Sequence, residues 1–423
     1  VLTAISGPTI SFHIFKIRPI ATNFLLNVTD VSFETIEERG RKSDIDLFNR
    51  IMPKSHAFQF KTVIFQENLL EWYTHNRRIL PWRAAKGRKS DPYHVWLSEI
   101  MLQQTTVPAV IPYFLHFTQK WPTISDLALA NPDDVMSSWA GLGYYARARN
   151  LLKCAGVIND KYDGKFPKEE AELMLLPGIG PYTAAAIRSI AFHKPAIVVD
   201  GNIERITARL FAIKMPFPEG KKCVRENAAM LFTGIENARK ESVRDLPQAL
   251  MDLGSTVCTP KSPKCSLCPI SQLCLGFQQG RQADYPIKTK PKQIPTRTGR
   301  VYLIQTKDGL MALEKRDETR MLGGMLSFPT THWDIKDDTQ SHKHPHHFRK
   351  LKTLHKVGAI SHTFSHFHLK LEVWHGIIAG NDLQLFNKLR QISFHPYENL
   401  EHIGLPTVFR KSLNIFKKYH NQE

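Results

Sequence analysis

The sequence predicts a multidomain protein, an all-α region followed by a smaller α+β region, with a basic linker between them. Three observations carry this reading. Helix start signals and helical spacing recur from about Phe65 for roughly 200 residues. Residues 278–299 (QQGRQADYPIKTKPKQIPTRTG) are then rich in Pro, Lys and Arg and poor in apolar residues, as an exposed linker is. Beyond the linker the hydrophobic period changes to two, the mark of half-buried strands. With 423 residues, the chain has room for two or three domains of ~150 residues each.

Residues 1–64 come first and are the least readable. Val1–Thr29 holds Lys16 and Arg18 but no acid before Asp30, a faint likeness to an organellar transit peptide that lacks its Arg and Ser density. The segment reads as a dispensable or disordered extension of unknown role. Residues 65–277 form the helical region. Asp91-Pro92 caps and opens a helix over Tyr93–Gln104, and Asn131-Pro132 does the same with Asp133 and Asp134 at the positive end of the dipole. A basic stretch, Tyr144–Lys153, follows Gly141-Leu142-Gly143. Helices at Lys168–Leu176 and Pro181–Phe192 are joined by only Pro177-Gly178-Ile179-Gly180, and Ser242–Val257 leads directly into four cysteines. In residues 300–418, Val301–Gln305 and Leu310–Lys315 flank Asp308-Gly309, a strong hairpin signal. Leu369, Leu371 and Val373 alternate with Lys370, Glu372 and Trp374 as a strand does.

Composition narrows the class. The chain is 42% hydrophobic and 23% charged, with six Cys, which excludes a disulfide-stapled mini-protein, a coiled-coil rod, a collagenous repeat and a wholly disordered chain. The longest apolar runs, such as Ala184–Phe192, fall far short of the ~20 residues of a membrane span. The 57 Lys+Arg against 39 Asp+Glu leave a net charge of +18, which suggests a polyanionic partner.

Cys258, Cys265, Cys268 and Cys274 form a C-x6-C-x2-C-x5-C cluster. Two disulfides are disfavoured because no secretory signal supports an oxidising compartment. Zinc is the stronger rival, but zinc ribbons usually pair two C-x-x-C knuckles and only one is present here. A 4Fe-4S cluster fits the uneven spacing better. Lys261 and Lys264 project from the x6 loop, which would hold basic charge towards phosphate.

Leu176-Pro177-Gly178-Ile179-Gly180 gives a tight turn with bare N–H groups at a helix start, where an anion can bind. On its own it could be an ordinary helix–helix turn. Followed by Pro181-Tyr182-Thr183 and Val199-Asp200-Gly201-Asn202, it resembles the helix-hairpin-helix and downstream Asp of the endonuclease III superfamily of base-excision DNA glycosylases, whose iron–sulfur loop has the same cysteine spacing. Leu80-Pro81-Trp82-Arg83, Trp96–Thr105, Gly141–Tyr145 and Thr363-Phe364-Ser365-His366 resemble the MutY-type adenine DNA glycosylases, and the likeness spans roughly residues 65 to 415. It implies an all-α helix-hairpin-helix glycosylase core with a 4Fe-4S loop, followed by a smaller α+β Nudix-like domain.

The resemblance also implies roles. Glu99 protonates the leaving adenine, at N7, and later helps to activate water; its neighbours Leu97, Ile100 and Met101 would raise its pKa and favour the acid form. Asp200 stays ionised and stabilises the sugar cation, through a transient covalent adduct. Tyr182 and Asn202 orient these groups. In the lyase branch a Lys stands at the Tyr182 position, and tyrosine cannot form a Schiff base, so the enzyme is expected to be monofunctional. Gln104 and Tyr144 match residues that insert into the duplex, Gly178 and Gly180 the hairpin that meets backbone phosphate, and Arg83 and Gln248 positions near the extruded base. Arg147 and Arg149 read either as phosphate contacts or as a solvated basic face.

The C-terminal region adds Leu322–Pro329 as a Nudix-like landmark. The Glu-rich metal box of a hydrolytic Nudix enzyme is missing after Pro329, so recognition rather than hydrolysis is expected. Phe364, Ser365 and His366 resemble the loop that recognises 8-oxoguanine opposite adenine. The His-rich stretch 342–347 reads as an exposed insertion rather than a metal site. The expected partner is double-stranded DNA carrying A·8-oxoguanine or A·G mispairs, met by a monomer with no membrane contact. A bacterial cytoplasm is expected, with nucleus or mitochondrion as alternatives. The rival functions are a thymine or uracil glycosylase acting on G mismatches and a non-catalytic iron–sulfur DNA-binding protein.

Overall fold

The computed structural model describes residues 54–85, 87–289, 293–333, 348, 351, 353–378 and 392–420, with side chains from Lys61 onward. Residues 1–53 of the extension and the His-rich stretch 342–347 lie outside the described residues. The chain divides into Val1–Val63 and Ile64–Glu423, and the architecture below is that of the second unit.

The helical lobe runs α1 (Lys54–Asn76), α2 (Pro92–Leu102), α3 (Val107–Lys120), α4 (Ile124–Ala128), α5 (Pro132–Ser138), α6 (Ala146–Tyr162), α7 (Glu170–Met174), α8 (Pro181–Ala186), α9 (Gly201–Leu210), α10 (Lys221–Met230), α11 (Lys240–Thr256) and α12 (Leu275–Gln278). The expected caps are present. Asp91 accepts from Tyr93 N at 2.8 Å, and Asn131 accepts from Asp133 N at 2.8 Å. The second hairpin helix is shorter than its sequence suggests, because α8 gives way to a π-helical turn at Ile187–Ala191. One apolar core, centred on Trp96, Phe114, Phe117 and Trp139, joins α1 to α11.

Arg147 is a correction to the sequence reading. It is neither a phosphate contact nor a solvated residue. It is buried and donates to the carbonyls of Ile100, Met101, Leu142 and Gly143 and to Thr105 Oγ1, at 2.8–3.2 Å. It therefore satisfies orphan carbonyls at the C-terminus of α2, the helix that carries Glu99.

The stretch 278–299 also departs from an exposed linker. Tyr285 is fully buried against Ala208, Ala212, Ile213 and Val224, and β1 has begun by Thr296. The α+β lobe is a mixed sheet of β1 (Thr296–Thr306), β2 (Leu310–Lys315), β3 (Leu326–Ser327), β4 (His355–Thr363), β5 (His368–Ile378) and β6 (Ile392–Pro396). The order is β3-β2-β1-β5-β4, with β6 also on β2; β1 and β5 are parallel and the other pairs antiparallel. The expected β1–β2 hairpin forms at Asp308-Gly309, where Gly309 takes φ +84°. Helix α13 (Thr407–His420) covers one face of the sheet with Val408, Phe409, Leu413 and Phe416.

The two lobes meet along a polar seam. Arg149 donates to Gly323 O at 2.5 Å and Glu318 O at 3.1 Å, so it too is committed within the protein. Lys315 pairs with Asp133 at 2.5 Å.

If Arg147 is a structural clamp, Arg147→Met should destabilise the protein by about 3 kcal/mol, since several buried carbonyls lose a charged donor. Urea unfolding measures this. A phosphate contact would behave oppositely, with stability unchanged and the salt slope of DNA binding shallower by about 1.

Candidate active site and cluster loop

Glu99 sits on the inward face of α2 and is buried. The Tyr182 hydroxyl, at the start of α8, donates to Glu99 Oε2 at 2.7 Å. Burial pushes the Glu99 carboxyl up to about 7, and the nearby Asp200 charge adds to the rise; Tyr182 and Arg83 pull it down. Burial likewise holds the Tyr182 hydroxyl well above its ordinary range, so it stays a donor.

Asp200 is the N-cap of α9. Its Oδ1 accepts from Ile203 N at 2.7 Å and its Oδ2 from Asn202 Nδ2 at 2.8 Å. Burial raises its pKa, while the Ile203 and Asn202 donors oppose that rise. The two carboxyls thus differ in kind. Asp200 has donors for both oxygens and a helix N-terminus behind it, whereas Glu99 has one hydroxyl donor. A proton held by the pair resides on Glu99.

Arg83, Glu99 and Gln248 line one narrow pocket together with Trp82, Ile190 and Met251. Ile190 reaches it from the π-helical turn, the kind of irregularity that often marks a functional site. The Arg83 guanidinium does not reach freely into this pocket. It forks onto Asp252 at 2.6 and 2.9 Å, and Arg78 adds bonds to the same carboxylate at 2.5 and 3.0 Å. Asp252 is fully buried on α11, one turn after Gln248, and the sequence reading missed it. A charged residue among Leu250, Met251 and Leu253 was the available signal.

Asn202 continues the Asp200 network. Its Oδ1 accepts from Arg205 at 2.8 Å, and Arg205 also donates to Gly254 O at 2.7 Å and Cys258 O at 2.9 Å. Helices α9 and α11 can approach this closely because residue 254 is glycine; a Cβ there would stand 2.5 Å from Asn202 Cβ. One turn along α9, Arg209 donates to Cys258 Sγ at 3.3 Å and to Thr259 O at 2.7 Å. Arg205 and Arg209 were also absent from the sequence reading, although their i, i+4 spacing puts both on one helix face.

All six cysteines are free thiols. Cys258, Cys265, Cys268 and Cys274 face one cavity walled by Ile206, Leu210, Leu253, Val257, Ile270 and Phe277. Among the described residues no three Cys, His, Asp or Glu side chains converge on a single metal ion. Four thiols spaced around an apolar cavity, with an Arg donor to one sulfur, suit a multi-atom sulfide cluster, and the disulfide alternative is not formed.

The hairpin glycines lie where the sequence placed them. Gly178 has φ +78°, and a Cβ there would sit 2.9 Å from Asn150 Cβ; Gly180 is the N-cap of α8. Gln104 and Tyr144 are exposed, hold left-handed backbone (φ 59° and 49°) and line a common groove. Such φ values are uncommon outside glycine and cost energy that functional sites often carry. The Tyr144 hydroxyl lies 2.5 Å from Ser365 Oγ, across the seam. Phe364–Phe367 is the tight turn between β4 and β5, closed by Phe364 N→Phe367 O at 2.9 Å. Ser365 and His366 are exposed, whereas the Phe364 ring is turned inward onto Trp333, with centroids 5.9 Å apart.

Residues 97–230 match the HhH-GPD superfamily of base excision DNA repair proteins, 258–274 the iron–sulfur binding domain of endonuclease III, and 300–414 the NUDIX domain. The iron–sulfur match begins and ends on the first and last cysteines of the loop, so the loop carries a 4Fe-4S cluster. The adenine DNA glycosylase of Buchnera aphidicola subsp. Baizongia pistaciae is 32% identical over 368 residues, covering 85% of this chain and 98% of that protein. Its counterpart from Buchnera aphidicola subsp. Schizaphis graminum is 34% identical over 361 residues, covering 84% and 99%. The human adenine DNA glycosylase is 32% identical over 371 residues, covering 75% and 67%. The chain belongs to the MutY-type adenine DNA glycosylase family, base-excision repair enzymes that hydrolyse N-glycosyl bonds.

Proposed function

We propose that this glycosylase removes adenine mispaired with 8-oxoguanine or guanine, preventing G·C to T·A transversions, and that it is monofunctional. The observation that carries the reading is Glu99, a carboxyl buried in the pocket with Tyr182 as its hydrogen-bond donor and a pKa near neutrality.

In the proposed reaction the extruded adenine enters the pocket between Arg83 and Gln248. The DNA-free pocket holds only about 50 Å³, far below the ~300 Å³ or more of a typical small-molecule site, so the base must widen it. Glu99 gives its proton to N7 as the N-glycosyl bond breaks and the bonding pair leaves with the purine. The oxocarbenium-like sugar is stabilised by the Asp200 carboxylate, held by Asn202 and the α9 N-terminus, through a transient adduct. Water then adds at the anomeric carbon with Glu99 as base. Two carboxyls in unlike surroundings, Glu99 with one hydroxyl donor and Asp200 with donors on both oxygens, divide these tasks as glycoside hydrolysis requires. Tyr182, fixed as a donor to Glu99, is a positioning residue and offers no amine for lyase chemistry.

Cys258, Cys265, Cys268 and Cys274 are assigned as the thiolate ligands of the cluster, which when bound cross-links a loop whose Lys261 and Lys264 face solvent. Gln104 and Tyr144 are assigned to the gap around the target pair, and Gly178 and Gly180 to a backbone phosphate. Ser365 and His366 address the opposite base, with Phe364 anchoring their turn. Residues 65–277 are assigned as the catalytic region and 300–418 as the lesion reader, joined by 278–299, a connection that packs through Tyr285 and opens β1 at Thr296.

Single-turnover adenine release should be greatest at weakly acidic pH, fall tenfold per pH unit above about 7 as Glu99 loses its proton, and fall again in stronger acid as Asp200 gains one. Glu99→Gln should slow release by ~10³-fold or more. Folded Glu99 keeps its proton to higher pH than in the unfolded chain, so its burial costs stability progressively as pH rises from 4.5 to about 7. Glu99→Gln should therefore raise stability at pH 8 by up to about 3 kcal/mol. A pH-independent rate together with an unaltered unfolding midpoint would remove Glu99 from the acid's role.

Ser365→Ala should weaken binding to A·8-oxoguanine duplex about tenfold, the worth of one well-placed hydrogen bond, while leaving A·G binding nearly unchanged. Titration of both duplexes reads the difference, and equal losses on both would assign Ser365 to the backbone instead.

A further inference from the structure

A cavity of about 460 Å³ opens in the sheet lobe between Arg297 at the start of β1, the 314–321 end of β2 and its loop, and Thr330–Trp333. No step of the proposed reaction uses it. Its charged lining is mostly cationic, with Arg297, Lys315, Arg316 and Arg320 against Glu314 and Asp317. Several of these charges are already committed. Lys315 pairs with Asp133, and Arg316 donates to Met321 O and Thr330 Oγ1 with its guanidinium 5.0 Å over the Trp333 ring. Asp317 accepts from Thr319, and Glu314 lies 3.8 Å from Arg316.

Three donors are left over. Arg320 is exposed and makes no side-chain hydrogen bond or ion pair among the described residues. Arg297 lies 4.4 Å over the Phe367 ring, and its Nε is buried without a hydrogen-bond partner. Trp333 Nε1 is likewise buried and unpartnered. Each buried donor left unmet is unfavourable, and such groups in a folded protein point to an acceptor yet to be supplied. A phosphate supplies both acceptor oxygens and the negative charge these residues lack.

The position of the cavity favours phosphate on a nucleic acid strand. Arg320 and Met321 line this cavity and also the groove that holds Gln104 and Tyr144, so the two spaces adjoin. Trp333 stacks on Phe364, next to the exposed Ser365. We propose that the cavity is a phosphodiester cradle in which Arg297 and Arg320 grip the backbone of the strand carrying the base opposite the target adenine. The inference rests on the reading of Phe364–His366 as the loop that addresses that base. The cradle gives the sheet lobe its own hold on the DNA backbone, so that the reader turn is delivered in register.

The test is equilibrium binding of the full-length, cluster-loaded protein to a duplex carrying 8-oxoguanine opposite a cleavage-resistant 2′-fluoro-adenosine, titrated over a range of NaCl concentrations. The double variant Arg297→Ala/Arg320→Ala should lose about 2 from the slope of log K against log salt, about 1 per phosphate contact, and each single variant about 1. Lys at both positions should restore most of the slope, which a purely packing role would not. Visible cluster absorption and thermal melting establish that the variants are folded; should the double variant fail there, the single variants carry the test. An unchanged slope in folded variants would overturn the proposal. So would wild-type binding of free nucleoside 5′-diphosphate that the variants lose while keeping the wild-type slope. If wild type shows no preference for the 8-oxoguanine duplex over an A·T duplex, the reading of the loop fails, and the slopes still decide whether the cavity holds DNA backbone.

Discussion

Glu99 is buried and, among the described residues, forms no ion pair, and the catalytic reading depends on both conditions. A guanidinium paired to it would hold it ionised, lowering its pKa by ~1–3 units. Arg83 shares its pocket, yet the fork onto buried Asp252, shared with Arg78, absorbs that charge. Tyr182 then donates the carboxyl's one hydrogen bond among the described residues. The result is an acid able to hold a proton near neutral pH in an apolar pocket, at a cost in stability that packing on α2 and the Arg147 clamp at its C-terminus offset.

The second carboxyl is built by opposite means. Asp200 caps α9 and takes donors on both oxygens, an arrangement that favours the anion. Its partner Asn202 is held by Arg205, which is also bonded to the carbonyl of Cys258. Asp200 and the cluster loop are therefore two ends of one hydrogen-bonded run. Across the seam, Tyr144 touches Ser365 in the DNA-free protein, so the groups assigned to the target pair and to the opposite base already lie side by side.

Much of this was legible because it is local. Asp91 and Asn131 cap the helices that their positions foretold, Asp308-Gly309 makes its hairpin, and the cysteine spacing marks the loop that closes one cavity. Glu99 and Asp200 were proposed as the catalytic pair through motif context, since a Glu on an apolar helix and an Asp before Gly are individually ordinary. The fate of the arginines was not legible. The +18 surplus counts Arg147, Arg149, Arg205 and Arg209 as equivalent to surface charge, yet all four are spent on carbonyls, an amide or a sulfur. What decides this is which carbonyls the tertiary fold leaves unpaired nearby, often 40 or more residues away in sequence. Tyr285 escaped for a related reason: a Pro- and Lys-rich stretch says nothing of the cleft at Ala208–Val224 that one aromatic can fill. Phe364 reads as part of a recognition triplet, and nothing in the sequence signals that its ring stacks on Trp333.

The most direct test of the central claim is the protonation of Glu99 itself. Infrared difference spectra of wild type minus Glu99→Gln, recorded across pH 4 to 9, isolate the carboxylic-acid band of this one side chain. The account predicts that the band persists through weakly acidic pH and disappears with a midpoint near 7. A midpoint in the ordinary carboxylate range, near 4.5, would show that Glu99 is ionised at working pH and would contradict its role as the acid.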